Sequence, residues 1–119
     1  MKKIEDVQEA LKLFEDAAQK RNAAINEGHS KIANRNYDKI VNIAKYLRDC
    51  KSLHELSIFY THPDIGVRKT AATYLLPVNE KESIKVLKEI AKLNGLAAFD
   101  AKMTIQEWEN GNLRNFYTL

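Results

Sequence analysis

The chain has 119 residues, 45% of them hydrophobic and 29% charged, which fits one globular domain with its own core. Only four Gly and two Pro occur, and this excludes collagen-like, low-complexity and linker-rich chains. Nineteen Lys and Arg against sixteen Asp and Glu leave +3, too small an excess to argue for nucleic acid by itself.

From Ile4 to Ile25 the apolar positions Ile4, Val7, Ala10, Leu11, Phe14, Ala17, Ala18 and Ile25 fall mostly three and four apart, the spacing of one helical stripe. Gly28 ends this helix, because glycine enters the left-handed conformation without a Cβ clash, and Ser30 is the expected cap of the next. Helix two runs to about Asp49, with Ala33, Tyr37, Ile40, Ala44 and Leu47 on one face. Ser52, with Glu55 at the capping-box position, opens a short third helix through Leu53, Leu56 and Phe59, stopped by Thr61, His62 and Pro63. Asp64 caps a fourth helix that reaches Leu76, where Pro77 closes it. Asn79 to Leu93 forms a fifth through Ile84, Leu87, Ile90 and Ala91, and a sixth occupies about Leu96 to Asn110 before Gly111. Connections this short make consecutive helices antiparallel neighbours, so six helices give three hairpins. The second members place Ile32, Val67 and Phe99 at intervals of 35 and 32 residues, as stacked helical repeats do.

Within the fourth helix, Asp64, then Val67-Arg68, then Ala71-Ala72, then Leu75 resembles the second-helix signature of HEAT repeats. The resemblance implies an all-α, right-handed stack of about three HEAT-like helical hairpins in a single domain spanning residues 1–119. It also implies structural roles for Asp64 and Arg68, which share a side of the helix one turn apart and form the expected ion pair. Helices two and six lack Val-Arg, as terminal repeats do. The wider pattern of Phe14, Ala17, Ala18, Glu27, Gly28, Ala33, Asn34, Tyr37, Phe99, Asp100, Ala101 and Trp108 is similar to a small bacterial family of HEAT-like proteins without an assigned activity. Compact helical proteins of this sort are often immunity proteins of bacterial toxins. The function implied is therefore a protein-binding module that neutralises a cognate toxin domain, with a general HEAT-like adaptor as the alternative. HEAT-like DNA glycosylases need several more repeats than this chain holds.

Chemistry-bearing residues are sparse. His29, His54 and His62 have no metal-ligand spacing and read as loop or cap residues. Cys50, the sole cysteine, sits at a helix C-terminus, which raises a thiol pKa. Asp100 and Glu107 share one side of helix six and form the single carboxylate pairing that invites an acid–base reading; a solvated face is the simpler account. Glycine-rich phosphate loops and nucleophile elbows are missing. No enzyme, cofactor or metal is expected from these residues.

Residues 28–51 carry six basic and two acidic side chains. Lys31, Arg35, Lys39 and Lys45 lie within about 120° of one another on helix two, opposite its apolar stripe. This stripe, with the neighbouring Tyr46, is the candidate partner-binding surface, for an acidic protein or, as the weaker alternative, for nucleic acid. Helix six is apolar on two sides, with Ala98, Ala101, Ile105 and Trp108 on one and Leu96, Phe99 and Met103 on the other. The second side is expected to be covered by Phe116, Tyr117 or Leu119, or else by a partner. The N-terminus carries acids where a signal peptide needs its apolar region, and no run approaches the ~20 apolar residues of a membrane span. The expected compartment is the cytoplasm, without membrane contact.

Overall fold

The computed structural model describes residues 3–113. Their regular structure is entirely helical: α1 Val7–Glu27, α2 Ser30–Asp49, a 3₁₀ helix Leu53–Thr61, α3 Ile65–Leu75, α4 Glu80–Ala91 and α5 Leu96–Glu109. The six expected segments are present, with shifted ends that have local causes. Asp6 is the N-cap of α1, its carboxylate accepting from Glu9 N at 2.8 Å, so the helix begins after it rather than at Ile4. Gly28, in the left-handed region at φ 75°, ends α1, and the following His29 N donates back to Ala24 O at 2.8 Å. That closure brings the chain straight into α2, with His29 in the cap position and Ser30 already helical. Ser30 is therefore not the cap. At the end of α2 the same backbone arrangement recurs, with Ser52 N donating to Leu47 O, but the left-handed position is Lys51 at φ 57°. Ser52 does not cap the third segment either: its Oγ donates to Cys50 O at 3.2 Å.

Consecutive elements pair as the short connections require, α1 with α2, the 3₁₀ helix with α3, and α4 with α5. Helix α3 is central, touching α1, the 3₁₀ helix, α4 and α5. It separates two apolar clusters. One holds Phe14, Ile40, Ile43, Leu47, Leu56, Phe59, Val67 and Leu75; the other holds Ala72, Leu76, Val86, Leu87, Ile90 and Ala101, with Ile105 and Trp108 against it. Phe14 stacks on Phe59 with ring centroids 5.8 Å apart and meets the edge of Tyr74 at 6.2 Å. Burying a ring of this size contributes about 1.5–3 kcal/mol.

Because α3 is surrounded, its polar residues are buried too: Lys69, Thr70 and Tyr74 as well as Gly66, Val67, Ala71, Ala72 and Leu75. Gly66 permits the crossing with α1, since a Cβ there would stand 2.7 Å from Asn22 Cγ. The corner before α3 is fixed by His62. Its Nδ1 accepts from Asp64 N at 2.9 Å while Nε2 lies 2.6 Å from Glu15 Oε2 on α1. Asp64 in turn caps α3, its Oδ1 accepting from Val67 N at 3.0 Å.

The expected Arg68–Asp64 ion pair is not formed. The Asp64 carboxylate is turned toward the backbone N–H groups at the helix start, and the half-buried Arg68 has its Nε enclosed without a hydrogen-bond partner. Asp64 is thus structural as a cap, not as a counter-ion.

Candidate functional site

The basic stripe of α2 lies on the outer face of the bundle. Lys31 and Arg35 are exposed, Lys39 and Lys45 half-buried, and none of the four lines the cavities described below. Tyr46 is half-buried against the larger apolar cluster. Burial and a hydrogen bond with the Cys50 side chain, with the charges of Asp6 and Glu9 nearby, raise its phenol above the ordinary tyrosine range. The stripe is therefore a surface, whereas Tyr46 is partly a packing residue.

One concave feature lies elsewhere, between α1, α2 and α5, with α3 as its floor. It consists of two cavities of about 190 Å³ each that share Arg21, Lys69 and Asp100 as common walls. On one side stand Tyr37, Ile40, Thr70, Thr73, Tyr74 and Thr104; on the other, Asn22, Ile25, Leu96, Ala97 and Phe99. Lys69 rises from α3 and pairs with Asp100 of α5. The Lys69 side chain is 7% exposed and that of Asp100 53%, so the pair has a dry end and a wet end. The Asp100 carboxylate, considered with Glu107 as an acid–base pairing, is thus engaged by an ammonium.

Arg21 crosses the same space from α1 and lies over the Tyr37 ring, its Cζ 5.4 Å from the ring centroid. Its Nε is buried without a hydrogen-bond partner, and no described carboxylate pairs with it. The hydroxyls at the floor are committed internally: Thr70 Oγ1 donates to Gly66 O at 2.7 Å and Thr73 Oγ1 to Lys69 O at 2.8 Å. Burial pushes the Tyr74 phenol far above the ordinary tyrosine range, Tyr37 adding to the rise and Arg21 opposing it. Among its described residues the groove thus combines one committed ion pair with one cation that has no carboxylate of its own.

Above this polar centre, α5 presents an apolar rim. Leu96 is 54% and Phe99 63% exposed, and Met103 continues the same face one turn on. These are the residues of the second apolar side of helix six. Phe116, Tyr117 and Leu119, considered as its cover, lie outside the described residues.

Sequence reasoning missed Arg21 and Lys69. Arg21 had a signal, since it interrupts the apolar stripe of α1 three residues after Ala18 and four before Ile25. Lys69 had none: it lies off the Val67–Ala71–Leu75 face, and its burial comes from α5 crossing behind it.

A family model described as a domain of unknown function, DUF2019, matches residues 8–109. The chain belongs to the DUF2019 family. The match runs from α1 through the end of α5, so Arg21, Lys69, Asp100 and the rim of Leu96, Phe99 and Met103 fall within the DUF2019 domain. No curated protein matches the chain in sequence. Among solved structures it is similar to the crystal structure of the protein RPA1889 from Rhodopseudomonas palustris CGA009, with a TM-score of 0.84 at 22% identity, covering 92% of this chain and 96% of that one. At this identity the likeness concerns the fold. No helix among the described residues is long and apolar enough to cross a membrane.

Proposed function

We propose that this DUF2019 chain is a protein-binding module with HEAT-like stacking of its three hairpins, acting in the cytoplasm as an immunity protein that neutralises a cognate bacterial toxin by direct binding. The observation that carries the reading is the rim of Leu96, Phe99 and Met103 on α5 beside the groove. An exposed apolar run next to fixed charges has the anatomy of a recognition patch, with an apolar centre and polar anchors.

Pre-organisation supports the same reading. The groove floor belongs to α3, the most enclosed helix of the bundle, and Lys69, Thr70 and Thr73 are each held by a hydrogen bond or ion pair. A partner docking there orders little that is not already ordered, which is how a small protein reaches high affinity. An inhibitor of this kind buries roughly 1,200–2,000 Å² in total, enough to reach from the α5 rim across the groove to α2.

Co-expression with a toxic domain encoded beside this chain tests the reading. Growth should be rescued by the wild-type chain, and rescue should be lost when Leu96 and Phe99 are both replaced by Asp while the helical circular-dichroism spectrum is retained. Absence of any adjacent toxic domain, or co-expression without protection or complex, removes the immunity reading and leaves the general adaptor.

A further inference from the structure

We propose that the groove receives an acidic side chain of the partner protein, its carboxylate held by Arg21, with a large apolar neighbour seated against Leu96 and Phe99. The inference deepens the protein-binding reading and rests on it. The charges in the groove are Arg21, Lys69 and Asp100, of which Lys69 and Asp100 satisfy each other. Among the described residues the half-buried Arg21 therefore contributes a positive charge without a carboxylate partner, and in such a recess a carboxylate gains more than it would at an open surface.

The geometry selects the ligand class. Tyr37 lies against the guanidinium and limits its rotation, so little freedom is lost when a carboxylate binds it. Thr70 and Thr73 have spent their hydroxyl protons on backbone carbonyls and Lys69 is paired with Asp100, so among the described groove residues Arg21 is the charged donor without a carboxylate partner. A nucleic-acid backbone is disfavoured here, because among the described groove residues one cation without a carboxylate partner stands beside the half-exposed carboxylate of Asp100, whereas phosphate chains are tracked by rows of cations. Two cavities of about 190 Å³ on either side of Arg21 are of side-chain size. The one bounded by Ile25, Leu96, Ala97 and Phe99 suits an apolar side chain adjacent to the acid.

Two blocked peptides, acetyl-Gly-Phe-Glu-Gly-amide and its Gln counterpart, titrated into the full chain and followed by amide and arginine Nε–Hε resonances in heteronuclear NMR, test the inference. The Glu peptide should shift Arg21 Nε–Hε together with the amides of Asn22, Lys69 and Phe99, with an affinity on the order of millimolar. The Gln peptide should bind about tenfold more weakly, as should the Glu peptide to Arg21→Gln. Equal response to Glu and Gln peptides in the wild-type chain would overturn the inference whatever the stability of the variant, as would shifts confined to α2 or no shifts at all. Concentration-dependent shifts of the same resonances without peptide would also overturn it, by making a second copy of the chain the occupant. Rescue by co-expression alongside a failed peptide titration would discard this anchoring mode while leaving the protein-binding function in place.

Discussion

Lys69 on α3 and Asp100 on α5 form an ion pair across 31 residues of sequence, tying the central helix to the last one. The ammonium end is enclosed and the carboxylate end half-solvated, so the two partners are not equivalent. Asp100→Asn leaves a buried positive charge with a neutral neighbour. The expected cost is about 1–2 kcal/mol, below that of a fully buried pair because water reaches the Asp100 side. Lys69→Met, which removes the buried charge and keeps its apolar stem, should cost less. Urea denaturation of the two variants checks the order.

At the crossing of α1 and α3, Gly66 faces Asn22 with no space for a methyl group. Alanine is favoured over glycine by at most about 1 kcal/mol, less at Gly66 in the first turn of α3, and the clash with α1 costs about 1–3 kcal/mol. The steric term should win, so Gly66→Ala is expected to lower the denaturation midpoint. Truncating the opposing side chain to Gly in the double variant should recover part of the loss. A stabilised Gly66→Ala would mean that α1 yields freely at this point.

The Tyr74 phenol stays protonated in the fold well beyond its ordinary range, chiefly because it is buried. The native state therefore binds this proton more tightly than the unfolded chain does. Its contribution is complete below the unfolded phenol pKa of about 10 and declines as pH rises above it. Stability should fall as pH rises above about 10, and Tyr74→Phe should flatten that fall. Urea midpoints measured across this range give the comparison; identical slopes would show that Tyr74 ionises without penalty.

Asp64 and Arg68 show what a motif conveys and what it omits. Asp64 before an apolar-periodic run was legible as a cap, because capping depends on residues three apart. The partner of Arg68 was not, because a side chain's direction is decided by what surrounds the helix; here the Asp64 carboxylate is already engaged by Val67 N. Asp64→Ala should cost about 1 kcal/mol. Arg68→Met, which keeps the packing and removes a buried unpaired donor, should be neutral or stabilising.

The same division runs through the molecule. Helix order and pairing were readable from periodicity and short connections, and Gly28 from its left-handed requirement. The groove was not, because it is assembled from α1, α2, α3 and α5, whose mutual placement leaves no trace in local spacing. The basic stripe of α2 was conspicuous in sequence since its residues are four and six apart, yet it lies outside the concave surface. The apolar rim of α5 was seen as a second apolar side; its exposure at Leu96 and Phe99 is what connects it to binding.

The most direct test of the account is the affinity of the purified chain for the toxic domain encoded beside it, measured by isothermal titration calorimetry for wild type and Phe99→Ala. The wild-type complex should be nanomolar or tighter, about −12 kcal/mol. Phe99→Ala should lose about 2 kcal/mol or more of that binding with an unchanged melting temperature, because the ring is 63% exposed and contributes little to the fold. A complex of equal affinity with and without the Phe99 ring, or none with wild type, would contradict the claim that α5 and its groove form the recognition surface.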